Sequence, residues 1–305
     1  MAQSTNTQAS YNHYTLSEFE DLLDFMTLAS PFETPLLSML SRVPATQLLH
    51  EWTERTLRVA TTTGVVEGDK RAADLQVTPS RRSNYTQIVR RDVAVSGTKD
   101  ASDTVGGNWT GTIVADALKE IALDAEASMI QGAVAATPQG TAALGRKMRG
   151  LTGWLATANS GTIVIAGAAV DETELVSLLS QIWAAGVSAD TILASSSLKS
   201  AISGLTQSTR VHHSDGVSNP RALVRNIQTY ESDFGTCEVY LSRYVSLANE
   251  PHGYAFDRQY LRTAWLRPPM VEELGKTGDN REIMILAELT LECLNSKAGG
   301  IWYYT

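Results

Sequence analysis

The chain has little of what most enzymes and most nucleic-acid-binding proteins are built around. It has two cysteines in 305 residues, Cys237 and Cys293, and no C-x-x-C pair. That excludes a disulfide framework and a cysteine zinc site, and predicts two buried free thiols. It has no excess of positive charge: Lys and Arg number 25 against 33 Asp and Glu, a net charge of −8. A protein whose main task is to grip phosphates is normally basic, so that task is not expected. No run approaches the ~18 apolar residues of a membrane helix. The opening MAQSTNTQASYNHY has no basic stretch followed by an apolar one, so no signal peptide is expected and the Asn84 and Asn108 glycosylation patterns carry no meaning. There is no fixed-period repeat and no low-complexity run.

Motifs for chemistry are also missing. Neither G-x-x-x-x-G-K-[ST] nor G-x-G-x-x-G occurs; GKTGD at Gly275 lacks the first glycine and a following helix, and reads as a surface turn. VHHSD places His212, His213 and Asp215 side by side, where adjacent histidines point apart and rarely share one metal ion. Ser214 among them is too close in sequence to form a triad. Carboxylate pairs such as Glu272–Glu273 and Asp171–Glu172 sit at loop edges or helix starts, where the helix dipole accounts for them. No catalytic residue, cofactor or metal is expected.

What the sequence does contain is patterning. Hydrophobic residues make up 43% and charged residues 19%, as in a globular protein. SEFEDLLDFMTLAS from Ser17 predicts a short capped helix, and the first forty residues carry five acids (Glu18, Glu20, Asp21, Asp24, Glu33) and no Lys or Arg. SPFETPLLSML (30–40) predicts an extended segment with a short helix. TQLLHEWTERTLRV alternates with a period of two, and RRSNYTQIVRRDVAVSGT (81–98) forms a second β-prone run. Between them lies a polar stretch, Thr61–Ser80, so the pair reads as a long hairpin. From Glu67 to Asp92 there are six basic residues (Lys70, Arg71, Arg81, Arg82, Arg90, Arg91) and four acids (Glu67, Asp69, Asp74, Asp92). Such an arm has too little apolar surface to offset its ordering entropy, so it needs support from another chain. Tyr85 is the lone aromatic among its arginines, too few for a base-stacking surface.

The longest predicted helix starts at Thr112, with Val114, Leu118, Ile121, Ala125 and Met129 on one face and Gly132 as its stop. LTGWLA and GTIVIAG read as short β pieces. From Asp171 an α/β rhythm follows: a helix (Leu175, Leu178, Leu179, Ile182 inward), the buried strand TILA, a helix ending near Gly204, a polar loop, two strands around Asp233-Phe-Gly, and a strand halted at Pro268–Pro269. The tail alternates, with Leu289, Leu291 and Cys293 on one side and Glu288, Thr290 and Glu292 on the other.

This order of pieces resembles the major capsid proteins of tailed bacteriophages with the Hong Kong 97-like fold. ETPLLSML (33–40), LLHEWTERTL (48–57), RRSNYTQI with VSGT (81–98), YESDFGTCEVYLSRY (230–244) and AWLRPPMVEELGKTGDNREIMILAELTLECLN (264–295) are similar to segments of one such family. Residues 136–165 and 205–220 carry little of the likeness. The resemblance implies an α+β fold: an N-terminal arm (1–55), an E-loop hairpin (56–98), a P-domain (99–165) with a spine helix at about 112–131, an A-domain (166–265), and C-terminal strands (266–305) returning to the P-domain. It implies a structural, non-catalytic protein that assembles as pentamers and hexamers of an icosahedral head enclosing double-stranded DNA without sequence-specific contacts. The hairpin would lie across a neighbouring subunit. Portal, scaffolding and decoration proteins are the further partners implied, and the virion, assembled in the bacterial cytoplasm, is the location. Glu18, Glu20 and Asp21 of one subunit are expected to face Arg81, Arg82 or Arg90 of another, with Glu67, Lys70, Arg71, Tyr85 and Arg91 also at the contact. Some relatives cross-link a lysine of this loop to a neighbour's asparagine; Lys70, the sole lysine of the tip, has nothing beside it in sequence to activate it, and that chemistry is not carried over. Two other readings fit the pattern less well: an α/β enzyme on residues 166–265 with the hairpin as a dimerisation arm, and an oligomeric connector or tail component.

Overall fold

The computed structural model describes residues 33–304 apart from 56, 58, 59, 61, 63, 65, 71–78, 103–108, 133–134, 139–144, 157–161, 167–171, 206–227, 246–251 and 277. The helix expected from Ser17 and the His212–Asp215 loop lie outside these.

Two sheets and one long helix organise the molecule. The first sheet has four strands in the order β1 (Ser41–Pro44), β10 (Leu261–Glu273), β11 (Asn280–Cys293), β4 (Gln87–Ser96). β11 is antiparallel to both neighbours, while β1 runs parallel to β10. The strand expected to return as the hairpin's second leg is therefore divided at Thr86. Its first part, β3 (Ser80–Tyr85), pairs with β2 (Leu49–Glu54) as a two-stranded ribbon; its second part, β4, belongs to the four-stranded sheet. Thr86 makes the corner: it is buried, its N–H and hydroxyl both donate to the Leu48 carbonyl, and its hydroxyl also meets Glu288.

The expected stop at Pro268–Pro269 is not a stop. β10 runs through both prolines to Glu273, with register shifts between Trp265 and Arg267 and between Arg267 and Met270. β1 pairs with β10 only as far as Trp265. Beyond it the outer edge of β10 has no partner strand among the described residues, and an edge with bulges tolerates residues that lack an N–H.

The long helix, α3 (Trp109–Gln131), packs on β4 and β11. At ~1.5 Å per residue it is roughly 35 Å long. Its buried stripe is Ala117, Ile121, Ala125 and Met129; the last three are as expected, while Leu118 is exposed and Ala117 takes its place. Alanine at every second position of this stripe, Ala117 and Ala125, allows the helix to lie close on the sheet. Gly132 ends it, and a Cβ there would fall 2.8 Å from the backbone nitrogen of Gly150. The close approach leads into α4 (Leu151–Leu155), a helical turn where the sequence predicted a β piece. Trp154 N–H donates to the Gly150 carbonyl and the turn buries Leu151, Trp154 and Leu155.

The second sheet has six strands, ordered β5 (Thr162–Ala166), β12 (Gly299–Tyr304), β9 (His252–Phe256), β6 (Thr191–Ala194), β8 (Gly235–Leu241), β7 (Thr229–Ser232). β7 and β8 are the strands expected around Asp233-Phe-Gly; Gly235, at φ +136°, takes the turn between them. The chain's last strand, β12, lies here between β5 and β9, so the C-terminal strands are split between the two sheets. Alternate residues of β6 and β9 face different cores. Leu193, Tyr254 and Phe256 join the cluster beneath α3; Ile192, Ala194 and Ala255 join one under α5 (Glu172–Ala184) and α6 (Ser196–Leu205). Leu175, Leu178, Leu179 and Ile182 line the latter as expected. Both cysteines are buried and free, and burial raises their thiols, Cys237 to about 11 and Cys293 to about 12.

Candidate assembly surface

The hairpin is anchored at its root and open at its tip. Trp52 is buried at the root, its indole N–H donating to the Cys293 carbonyl at 2.8 Å, its ring 5.3 Å from that of Trp154. Asn84, across the ribbon, is fully buried with its amide satisfied at both ends: Nδ2 donates to the Leu291 and Arg149 carbonyls at 2.7 and 3.1 Å, and Oδ1 accepts from Arg149 N–H at 2.8 Å. Glu54, the last residue of β2, accepts from Arg82 Nε at 2.8 Å and from Ser296. These contacts tie β2 and β3 to the end of β11, so the ribbon leaves the body at a fixed angle.

From Arg55 to Pro79 every described residue is exposed. Leu57 is 88% and Val66 76% exposed, among the most open large apolar side chains among the described residues. A tight turn at the tip uses Gly68 at φ +81°, with Asp69 N–H bonded to the Val66 carbonyl. Twelve residues on each leg give the arm a reach of roughly 40 Å if extended.

The residues singled out from sequence are distributed as follows. Glu67 and Lys70 are exposed at the tip. Arg81 is exposed at the root, 3.5 Å from Glu51, while Arg82 is engaged by Glu54. Tyr85 is half-buried opposite Leu49. Arg90 and Arg91 lie on β4, on opposite faces: Arg90 pairs with Asp92 at 3.1 Å and Arg91 with Glu120 of α3 at 2.6 Å. Glu18, Glu20, Asp21 and Arg71 lie outside the described residues. The root arginines thus have carboxylates within their own chain. Exposed pairs of this kind contribute only ~0–1 kcal/mol and exchange partners readily.

The residues that sequence reasoning passed over are Trp52, Asn84 and Glu288, which fix where the arm points. Glu288 is 3% exposed and holds three elements together. Its carboxylate accepts from the Thr86 hydroxyl at 2.7 Å, from Arg146 at 2.6 Å and from Arg267 at 2.8 Å. Burial pushes its carboxyl up, but the Thr86 and Arg267 hydrogen bonds and the two guanidinium charges outweigh this and hold it below the ordinary range. Strand alternation signalled that Glu288 faces away from Leu289, but not that this second face is also covered.

That second face is open only in part. In the four-stranded sheet α3 covers the side of Val89, Val93, Ile283 and Ile285. On the other side the register aligns Arg90, Leu286 and Met270 in one row and Asp92, Met284 and Glu272 in the next. Ile88 and Met270 are exposed there and Met284 is half-buried, whereas Leu286 is buried. The face is half apolar, half charged. Among the described residues no group of three or more His, Cys, Asp or Glu side chains is placed to hold a metal ion, and no helix is long and apolar enough to cross a membrane.

Comparison with known proteins agrees with this architecture. The family model for the SU10 major capsid protein matches residues 3–303. The cyanophage A-1(L) capsid asymmetric unit is similar with a TM-score of 0.69 at 15% identity, covering 93% of this chain and 96% of that one. A chain from Mycobacterium phage Adephagia gives 0.66 at 16% identity, with 98% of each chain covered. The holo-SrpI encapsulin complex from Synechococcus elongatus gives 0.63 at 13% identity, covering 94% of this chain and 92% of that one. At these identities the structures speak to the fold alone. A search of curated proteins found no match.

Proposed function

The chain belongs to the SU10 major capsid protein family, a structural and non-catalytic subunit of a phage capsid that associates with copies of itself in the virion, and from that premise we propose how it builds the shell. The arrangement is Hong Kong 97-like. The four-stranded sheet with α3 is the P-domain and its spine, the six-stranded sheet with α5 and α6 is the A-domain, residues 1–55 form the N-terminal arm, and Arg55–Pro79 is the projecting part of the E-loop. Subunits form hexamers and pentamers of an icosahedral head around double-stranded DNA, assembled in the host cytoplasm. A portal protein completes the head, and scaffolding and decoration proteins are further candidate partners. An overall negative charge suits a lining past which DNA must slide.

The observation that carries this reading is the arm itself: a hairpin rigid at its root whose described tip residues make no core. An isolated two-stranded ribbon is marginal in water. The missing support is the part-open face of the four-stranded sheet in a neighbouring copy, where Ile88, Met270 and Met284 receive Leu57 and Val66. Repeated head-to-tail contacts of this kind close into rings and shells, and multiplicity compensates for the weakness of each. The charged residues of the arm, Glu67, Lys70, Arg71, Arg81 and Arg82, with Tyr85 beside them, Arg90 and Arg91 of β4, and Glu18, Glu20 and Asp21 of the N-terminal arm, form the polar rim. Cysteines introduced at Val66 and Met270 test the register. A disulfide-linked ladder of subunits in assembled particles is expected, and a pattern of monomers alone would refute it.

A further inference from the structure

Helix α3 carries a carboxylate on its buried side that shell building does not require. Glu126 is 0% exposed, and its two oxygens accept from Leu36 N–H at 2.9 Å and Leu37 N–H at 2.7 Å. Those amides open the short helix α1 (Pro35–Met39), whose preceding Thr34 makes no side-chain cap. The first four backbone nitrogens of a helix have no partner within it. Here Pro35 has no N–H, Ser38 N–H reaches the Thr34 carbonyl, and Glu126 takes the remaining two from 90 residues away. Leu36, Leu37 and Leu40 pack into the same core as α3. This is where the N-terminal arm joins the body. Among the described residues no Lys, Arg or His forms an ion pair with Glu126.

We propose that Glu126 is a proton-controlled latch for the N-terminal arm: the neutral carboxyl holds Pro35–Leu40 seated against the long helix, and ionisation loosens that seat. A buried charge without a countercharge is costly. Desolvation outweighs the two amide hydrogen bonds and raises the carboxyl from 4.5 to about 7. Unseated, the group meets water and titrates near its ordinary value. Between the two values the seated state binds more protons than the unseated one, so seating weakens as pH rises through that window and levels off on either side. Helix α1 itself brings no ionisable side chain. The other ionisable groups acting here are Asp124, on the same helix, and Tyr244 with Arg243, on the segment after β8. The Tyr244 phenol is pushed upward by burial, then by Asp124 and Glu126, against Arg243, and stays neutral throughout the window.

The test is hydrogen exchange of the peptide spanning residues 34–40 in the full chain, corrected for the chemical pH dependence of exchange. Protection is expected to fall on the order of ten-fold between about pH 5.5 and about pH 8 in the wild type, and to stay level in Glu126→Gln. An equal pH response in the two proteins, or none in the wild type, overturns the latch. Should the variant fail to fold, cleavage of the wild-type chain at Glu33 by a glutamate-specific protease decides. A corrected cleavage rate rising with a midpoint between the two pKa values supports the latch; a flat or falling rate refutes it.

Discussion

Glu126 and Glu288, two of the three glutamates buried among the described residues, respond to acid in opposite directions. Glu126 is raised because desolvation dominates, whereas Glu288 is lowered because Thr86, Arg267 and Arg146 dominate. For Glu288 the folded carboxyl titrates below its unfolded value, so its contribution is present above the ordinary carboxylate range and is lost as pH falls through the depressed value. Replacing Glu288 with Ala leaves the largely buried Arg146 and the part-exposed Arg267 without their shared carboxylate and is expected to cost about 3 kcal/mol in chemical denaturation of the unassembled subunit. Glu288→Gln is expected to cost less and to flatten the acid side of the stability–pH curve. An unchanged acid limb in that variant would assign the pH dependence elsewhere. Neither glutamate was legible as special in the sequence. Glu126 sits between two alanines in a helix that has other acids on its surface, and its partners are backbone amides delivered by a segment 90 residues earlier.

At the scale of elements, the hairpin divides into a part the chain supports and a part it does not. Trp52→Ala removes the indole bridge to Cys293 and the contact with Trp154; a loss of about 3–5 kcal/mol is expected, as for large aromatic truncations in cores. The companion prediction is that Leu57→Ser and Val66→Ser together leave subunit stability within ~0.5 kcal/mol, since exposed positions contribute little to a monomer, while reducing particle yield. Thermal unfolding and sedimentation of the same samples check both. The alternation that announced β2, β3 and β11 was readable because each has one face on a core. The period of α3 was readable: Ile121, Ala125 and Met129 are buried as expected and Val114 packs on the core, and only Leu118 was chosen in place of Ala117, where close approach to the sheet favours alanine over size. LTGWLA was unreadable because a six-residue, largely apolar segment fits a strand or a helical turn equally. Its helical state is settled by the backbone contact of Gly132 with Gly150, which is tertiary. The prolines of β10 misled because their usual effect applies to central strands, and this edge lacks a neighbour beyond Trp265.

At the scale of the whole molecule, each subunit encloses two hydrophobic cores, and in the reading proposed above the arm carries the contact between subunits. Replacing residues 56–78 by a short Asn-Gly turn is expected to preserve the denaturation midpoint, because Trp52, Asn84 and Glu54 remain, and to abolish closed particles in electron micrographs. Shells of normal diameter from that deletion would move the assembly contact to another surface. The central claim is that the arm is ordered by a sister copy. Hydrogen exchange of residues 55–79, measured on the same chain as free subunit and as assembled particle, tests it most directly. Fast exchange in the subunit and strong protection in the particle are predicted; equal exchange in both states would contradict the account.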